Sequence, residues 1–133
     1  MASVHRQIEV EVPLEQAWDA LRDVGRIHER LVPGFVVDCH LHGRVRTVTF
    51  ADGTVVREPI LDIDDERHRV AWAALGEGFD HYSASLQADD AGTGRTRLAW
   101  VADLLPDEME PRVDGMVEQA LATMKATLER ARR

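Results

Sequence analysis

Two side chains fall at strand positions where an apolar cavity would put them to chemical use. Tyr82 opens the run Tyr82 to Ala88, in which Tyr82, Ala84 and Leu86 alternate with Ser83, Ser85 and the preceding His81. Period-two alternation puts the first set on an inward face and the second in solvent. Arg57 lies in the run Thr54 to Ile63; if Leu61 and Ile63 face inward, Val55, Arg57 and Pro59 go with them, and a bulge would reverse the assignment. An arginine inside a cavity must find an anion, so Arg57 is a candidate for a ligand carboxylate or phenolate, and Tyr82 for donating to a carbonyl or acting as an acid. The structural alternative places Arg57 at a rim with a surface acid, its stem snorkelling outward, and Tyr82 in the core with its hydroxyl on backbone. Arg6 shares the apolar parity of the first strand but lies close to the terminus.

The metal and nucleophile signals are weaker. His40-Leu41-His42 puts two imidazoles on one strand face, a chelating geometry, yet no acidic residue follows at the short spacing a cupin needs, and Arg44 and Arg46 stand there instead. With both histidines outward, no metal and no cofactor is expected. His28 sits in a short helical region, either at a cavity entrance or on the surface. Cys39 is the one cysteine, which excludes an intramolecular disulfide and a multi-cysteine metal site; on the face opposite His40 and His42, it reads as a small buried apolar residue. Asp62, Asp64, Asp65 and Glu66 form an acidic cluster at a turn, as solvated loops often do. A phosphate-binding glycine loop, a G-x-S-x-G elbow and an H-E-x-x-H helix are all missing.

The elements that must position these groups follow from periodicity. Ile8, Val10 and Val12 alternate with Glu9 and Glu11, which predicts a first strand over Ile8 to Val12. Pro13 suits a first helical position, and Leu14, Ala17, Trp18 and Leu21 follow at three-four spacing. Gly25 ends that helix, a second short one is expected over Arg26 to Leu31, and Pro33-Gly34 forces the chain out of helix. Six strands follow: Val36 to His42, Val45 to Phe50, Thr54 to Ile63, Arg69 to Ala74, Tyr82 to Ala88 and Thr96 to Leu104, with Ala51-Asp52-Gly53 as the clearest hairpin turn. On these strands Val37, Cys39 and Leu41, then Val70, Trp72 and Ala74, then Leu98, Trp100, Ala102 and Leu104 are expected inward.

The last stretch is the clearest helix. Met109, Val113, Met116, Val117, Ala120, Leu121, Met124 and Leu128 form one apolar stripe over about six turns. Asp107 with Glu110 resembles a capping box, Pro111 must lie in the first turn, and Arg130, Arg132 and Arg133 complement the negative end of the dipole. Such a stripe needs a partner surface. A sheet of about seven strands supplies it, so the expected class is α+β: a curved antiparallel sheet wrapped around a long C-terminal helix, with two short helices after strand one.

Composition agrees. A chain of 133 residues with 44% hydrophobic and 30% charged residues reads as a single soluble domain, 1–133, with a sizeable core. The net charge of −8 repels phosphate backbones and anionic headgroups, so neither nucleic acid nor membrane insertion is expected. Met1 to Arg6 show no secretory signal, and with the lone cysteine this points to a cytoplasmic, reducing location. Monomer and homodimer both remain open, since outward Ala99 and Val101 leave room for a sheet-face dimer.

The order of elements and three local segments resemble the START-like superfamily, also called SRPBCC or the helix-grip fold. Ile8-Glu9-Val10-Glu11-Val12-Pro13-Leu14-Glu15-Gln16-Ala17-Trp18 resembles its opening strand and first helix. Val55-Val56-Arg57-Glu58 through Asp62-Ile63-Asp64-Asp65-Glu66-Arg67 resembles its central segment, and Gly94-Arg95-Thr96-Arg97-Leu98-Ala99-Trp100 its last strand. The likeness spans the whole chain and is greatest to polyketide cyclase/dehydratase-type bacterial members. It implies a cavity between sheet and terminal helix, for which the expected lining is Cys39, Leu61, Trp72, Tyr82, Leu98, Trp100, Met116, Ala120 and Met124. It also implies a small hydrophobic or aromatic ligand. Three functions fit: a binding protein, a cyclase/dehydratase-like enzyme using Tyr82 or Arg57, and a protein-interaction (co-chaperone-like) module. A filled core without a cavity would favour the third.

Overall fold

A computed structural model describes residues 1–131. The strands are β1 (Ala2–Val10), β2 (Val36–His42), β3 (Val45–Phe50), β4 (Val55–Asp64), β5 (Arg69–Ala73), β6 (His81–Gly92) and β7 (Arg95–Leu105). Two short helices, α1 (Leu14–Leu21) and α2 (Ile27–Arg30), follow β1, and α3 (Glu110–Ala131) closes the described chain after a single 3₁₀ turn at Asp107–Met109. One antiparallel sheet has the order β1-β7-β6-β5-β4-β3-β2, the expected α+β helix-grip architecture. Strands β2 to β7 meander through neighbours, while α1 and α2 carry the chain from one sheet edge to the other.

β1 starts six residues earlier than the alternation suggests, because all nine of its residues pair with β7, from Ala2 opposite Leu104 to Val10 opposite Thr96. Tertiary pairing recruits a polar stretch that local pattern leaves out. Val12 lies beyond the strand, yet is fully buried and its carbonyl accepts from Thr96 Oγ1 at 2.8 Å. Pro13 is the N-cap of α1 and its carbonyl accepts from the Gln16 and Ala17 amides at 3.1 Å. The Asp107–Glu110 capping box does not form: Pro106 precedes the 3₁₀ turn, and Asp107 instead faces the chain's amino group at 3.4 Å. Arg130 lies in the last turn of α3; Arg132 and Arg133 lie outside the described residues.

Cross-strand registers align the inward side chains in rows. One row runs Val4, Ala102, Ala84, Trp72, Ile60, and the next Arg6, Trp100, Leu86, Val70, Ile63. Both Ile60 and Ile63 face inward because a bulge between Ile60 and Asp62 reverses the parity of β4 midway. The first half of β4 therefore points the opposite way from the sequence expectation. Val56, Glu58 and Ile60 are buried, Arg57 is exposed on the outer face, and Leu61 is 53% exposed. A second bulge, between Val36 and Asp38, turns Val36 and Cys39 inward and leaves Val37 outside. Leu41 keeps inward parity at the sheet edge, partly exposed, and packs on Gly25, where an added Cβ would stand 3.2 Å from Leu41 Cβ.

The apolar stripe of α3, from Val113 through Val117, Ala120, Leu121 and Met124 to Leu128, is buried. Polar ties fix the helix to the β1 edge. Arg6 grips Asp114 with Nε at 2.7 Å and Nη2 at 2.9 Å and reaches Glu118 at 3.0 Å, and Lys125 Nζ donates to the Glu9 carbonyl at 3.0 Å. Arg6 thus has the inward parity its position suggests, but clamps the helix. The Arg6 guanidinium holds the Asp114 carboxyl below its ordinary value. At the other end, Trp18 Nε1 and Arg22 Nε both donate to Asp65 Oδ1 at 2.9 Å, tying α1 to the β4–β5 turn and giving one member of the acidic cluster a structural task.

The face assignment makes a stability prediction. Leu98→Ala, at a fully buried position away from any cavity, is expected to cost about 3 kcal/mol, against less than about 0.5 kcal/mol for Leu61→Ala. Chemical denaturation of the two variants measures both; comparable losses would contradict the bulge-reversed register.

Candidate functional site

Between the concave face of the sheet and α3 lies a cavity of about 370 Å³. Its floor comes from the inward rows: Val48 and Val56 of β3 and β4, Val70 and Trp72 of β5, Tyr82 and Leu86 of β6, and Trp100 of β7. α3 closes it with Val113, Met116, Ala120 and Met124, and α1, α2 and the following loop contribute Leu21, Ile27 and Phe35. Asp52 on the β3–β4 turn, Glu77 on the β5–β6 loop, and Arg112 and Gln119 on α3 are exposed and ring the opening.

Six of the nine expected lining residues border this space: Trp72, Tyr82, Trp100, Met116, Ala120 and Met124. The other three do not. Leu61 is on the outer face for the reason given above. Leu98 is inward and wholly buried, but in the packed half of the core. Cys39 is inward on β2 and lies under the α1–α2 loop, its Sγ 3.9 Å from the Val24 carbonyl; burial pushes its thiol above the ordinary value. Arg57 is outside, its carbonyl accepting from the Leu75 amide at 3.0 Å. His40 faces solvent and meets Asp38 at 3.0 Å.

The polar group inside the cavity is an ion pair that strand alternation alone does not single out. Arg46 of β3 and Glu58 of β4 are directly opposite, on the inward face, and 4% and 8% exposed. Arg46 Nε donates to Glu58 Oε1 at 2.8 Å and Nη1 to the Val24 carbonyl at 3.1 Å, while the guanidinium carbon stands 5.3 Å above the Trp72 ring. Three contacts therefore fix the cation. The signal is present in the sequence: Arg46 shares parity with Val48 and Phe50, and Glu58 with Val56 and Ile60, a set that the bulge after Ile60 lets face inward together with Ile63. Burying such a pair is not a route to net stability, but removing one partner leaves an uncompensated charge, at a cost of about 3–5 kcal/mol.

Tyr82 and Trp100 complete the polar wall. Neither the Tyr82 hydroxyl nor the Trp100 indole N–H has a hydrogen-bond partner among the described residues, although both are buried. Burial pushes the Tyr82 hydroxyl far above its ordinary range; the nearby Trp100 N–H, short of a true hydrogen bond, acts in the opposite direction, and the Glu58 carboxylate adds to the rise. Trp72 and Trp100 meet edge to face at 5.2 Å, and Phe79 leans on Tyr82 at the same distance. The wall is thus aromatic, with a neutral phenol beside a neutralised ion pair.

A long helix gripped by a seven-stranded antiparallel sheet, with a cavity between them, defines the helix-grip class. The chain belongs to the family described as polyketide cyclase / dehydrase and lipid transport, whose model matches residues 1–129. Among solved structures, an uncharacterized protein from Bacillus thuringiensis is similar at 16% identity, with a TM-score of 0.86 over 96% of this chain and 98% of that one. The Zhui aromatase/cyclase from Streptomyces sp. R1128 is similar at 20% identity and a TM-score of 0.78, over 99% and 96%. A norcoclaurine synthase point mutant from Thalictrum flavum, in complex with a transition-state analogue, is similar at 14% identity and 0.73, over 99% and 96%. No curated protein matches the sequence. At these identities the likeness establishes the shared fold.

Tyr82 is the one tyrosine in the chain, so tyrosinate absorbance reports it alone. The folded hydroxyl is expected to stay protonated well above its ordinary value of 10.0. A raised folded-state pKa means stability that is full below the unfolded value and lost as pH rises beyond it. Alkaline titration should therefore show tyrosinate appearing together with unfolding, and Tyr82→Phe should remove that part of the alkaline loss. Tyrosinate forming near pH 10 in the folded protein would contradict the burial.

Proposed function

We propose that this protein binds one small, largely apolar molecule in the cavity between the sheet and α3. The observation that carries the reading is the cavity itself: about 370 Å³ of space between sheet and helix, walled mainly by aliphatic and aromatic side chains. Well-packed interiors do not keep such a volume by accident of packing, and concave, mostly apolar sites with few polar groups are what small ligands occupy. The family description, which joins cyclase or dehydrase activity to lipid transport, supports a ligand-holding role without choosing between transport and turnover.

A second reading, a cyclase/dehydratase-like enzyme, is favoured by one feature. Arg46, Glu58 and Tyr82 bring a donor, a carboxylate and a neutral phenol to one wall of an otherwise apolar chamber. Confinement orients a flexible substrate, and a phenol that stays protonated can supply a proton to an enolate oxygen. Arg57, facing solvent, takes no part in either reading. The interaction-module reading called for a filled core and gains nothing from the cavity.

Native mass spectrometry of protein purified from its own host is expected to find one apolar compound per chain. Ala120→Phe, which places a ring in the cavity from α3, should weaken uptake of that compound at least about tenfold while the fold persists. Conversion of the bound compound by wild type and not by Tyr82→Phe would favour the enzyme. An empty protein, unstabilised by any of a broad panel of apolar compounds, would overturn the ligand-binding reading.

A further inference from the structure

We infer that the cavity selects a neutral ligand carrying a hydroxyl, phenolic or alcoholic, on an otherwise apolar body, and that the Arg46–Glu58 pair recognises that hydroxyl. The inference rests on the ligand-binding reading above and adds the polar head group that it leaves open.

The argument begins with hydrogen-bond accounting. Arg46 Nε is committed to Glu58 Oε1 and Nη1 to the Val24 carbonyl, whereas Arg46 Nη2 and Glu58 Oε2 make no hydrogen bond with any described residue. The two side chains are 5% and 10% exposed and border the cavity, so the remaining edge of the pair faces ligand space. That edge offers the N–H groups of Arg46 Nη2 as donors and Glu58 Oε2 as acceptor. A hydroxyl both gives and receives through a single oxygen, so it satisfies both at once. A ketone or ether takes the donor and leaves the carboxylate oxygen unpaired, and a hydrocarbon leaves both unpaired, which sites of this kind discriminate against strongly.

Charge narrows the class further. Guanidinium and carboxylate cancel, so a carboxylate ligand would meet Glu58 as well as Arg46 and would lose its hydration for no net attraction. Arg46 is also held on the Trp72 face and by the Val24 carbonyl, which prevents it from leaving Glu58 to follow an anion. Neutral hydroxyl compounds are thereby favoured over fatty acids and aromatic acids of the same size.

The test uses four matched probes at neutral pH: 2-naphthol, 2-methoxynaphthalene, naphthalene and 2-naphthoate, titrated calorimetrically into the full chain. In wild type, 2-naphthol is expected to bind about tenfold or more tighter than each of the others. Glu58→Gln leaves Arg46 as a net cation, so 2-naphthoate should tighten about tenfold and 2-naphthol weaken, an inversion that a merely structural role for Glu58 would not produce. Should that variant fail to fold, Arg46→Met combined with Glu58→Leu removes both charges, and the advantage of 2-naphthol over naphthalene should fall to within about twofold. Equal binding of naphthalene and 2-naphthol by wild type, 2-naphthoate binding as tightly as 2-naphthol, or an advantage that survives the double substitution would overturn the inference while leaving the apolar-ligand reading standing. Failure of all four probes to bind would overturn the inference, and failure of the broader apolar panel as well would overturn the ligand-binding reading with it.

Discussion

One helix cannot fill the concave face of seven strands, and the cavity follows from that mismatch. Strands sit about 4.8 Å apart, so the sheet spans about 29 Å across its strands, while a helix with its side chains covers about 10 Å. Arg6, with Asp114 and Glu118, and Lys125, with the Glu9 carbonyl, settle where α3 lies by fastening it to the β1 edge. The rows of β1 and β7 are then covered, and Leu98, Ala102 and Leu104 pack without space around them. Toward β5, β4 and β3 the helix has moved out of reach. α1, α2 and the loop after them close one end of the remainder, and the rest stays hollow.

The hollow is kept by residues too rigid or too committed to collapse into it. Trp72, Trp100 and Tyr82 stand on three adjacent strands and brace one another or Phe79 through ring contacts. Arg46 and Glu58 cannot withdraw to solvent without breaking a 2.8 Å charge-assisted bond, and Arg46 is anchored to the Val24 carbonyl as well. A buried ion pair is a poor device for net stability, yet losing one partner is costly, so the pair holds its place in the wall. The same strands supply the floor, the polar wall and the register that aligns them, so the site is a property of the sheet more than of its loops.

Much of the fold was legible in the sequence. The terminal helix announces itself by an apolar stripe from Met109 to Leu128, of which Met109 falls in the 3₁₀ turn before α3, and β6 and β7 by strict alternation that puts Tyr82 and Trp100 inward. Parity also located Trp72, and the helix stripe located Met116, Ala120 and Met124. What failed was parity across bulges. The extra residue near Leu61 reverses half of β4, so unbroken alternation puts Arg57 and Leu61 inside where Glu58 and Ile60 are, and the bulge at Val37 shifts β2 in the same way. Bulges leave no dependable mark on a single sequence, because the partner strand defines them. Arg46 is hidden for a related reason: a charged residue on a short strand reads as solvated until an opposite charge is known to face it.

The central claim, that the space between sheet and α3 takes up an apolar molecule, is most directly tested by the three indole N–H resonances of the protein. Trp72 and Trp100 line the cavity, whereas Trp18 is buried against the β4–β5 turn with its N–H on Asp65. On titration with naphthalene, saturable shifts of the Trp72 and Trp100 resonances, with that of Trp18 unmoved, are the predicted result. Shifts confined to Trp18 or to outer-face positions such as Leu61 and Val55, with the cavity tryptophans unchanged, would contradict the account.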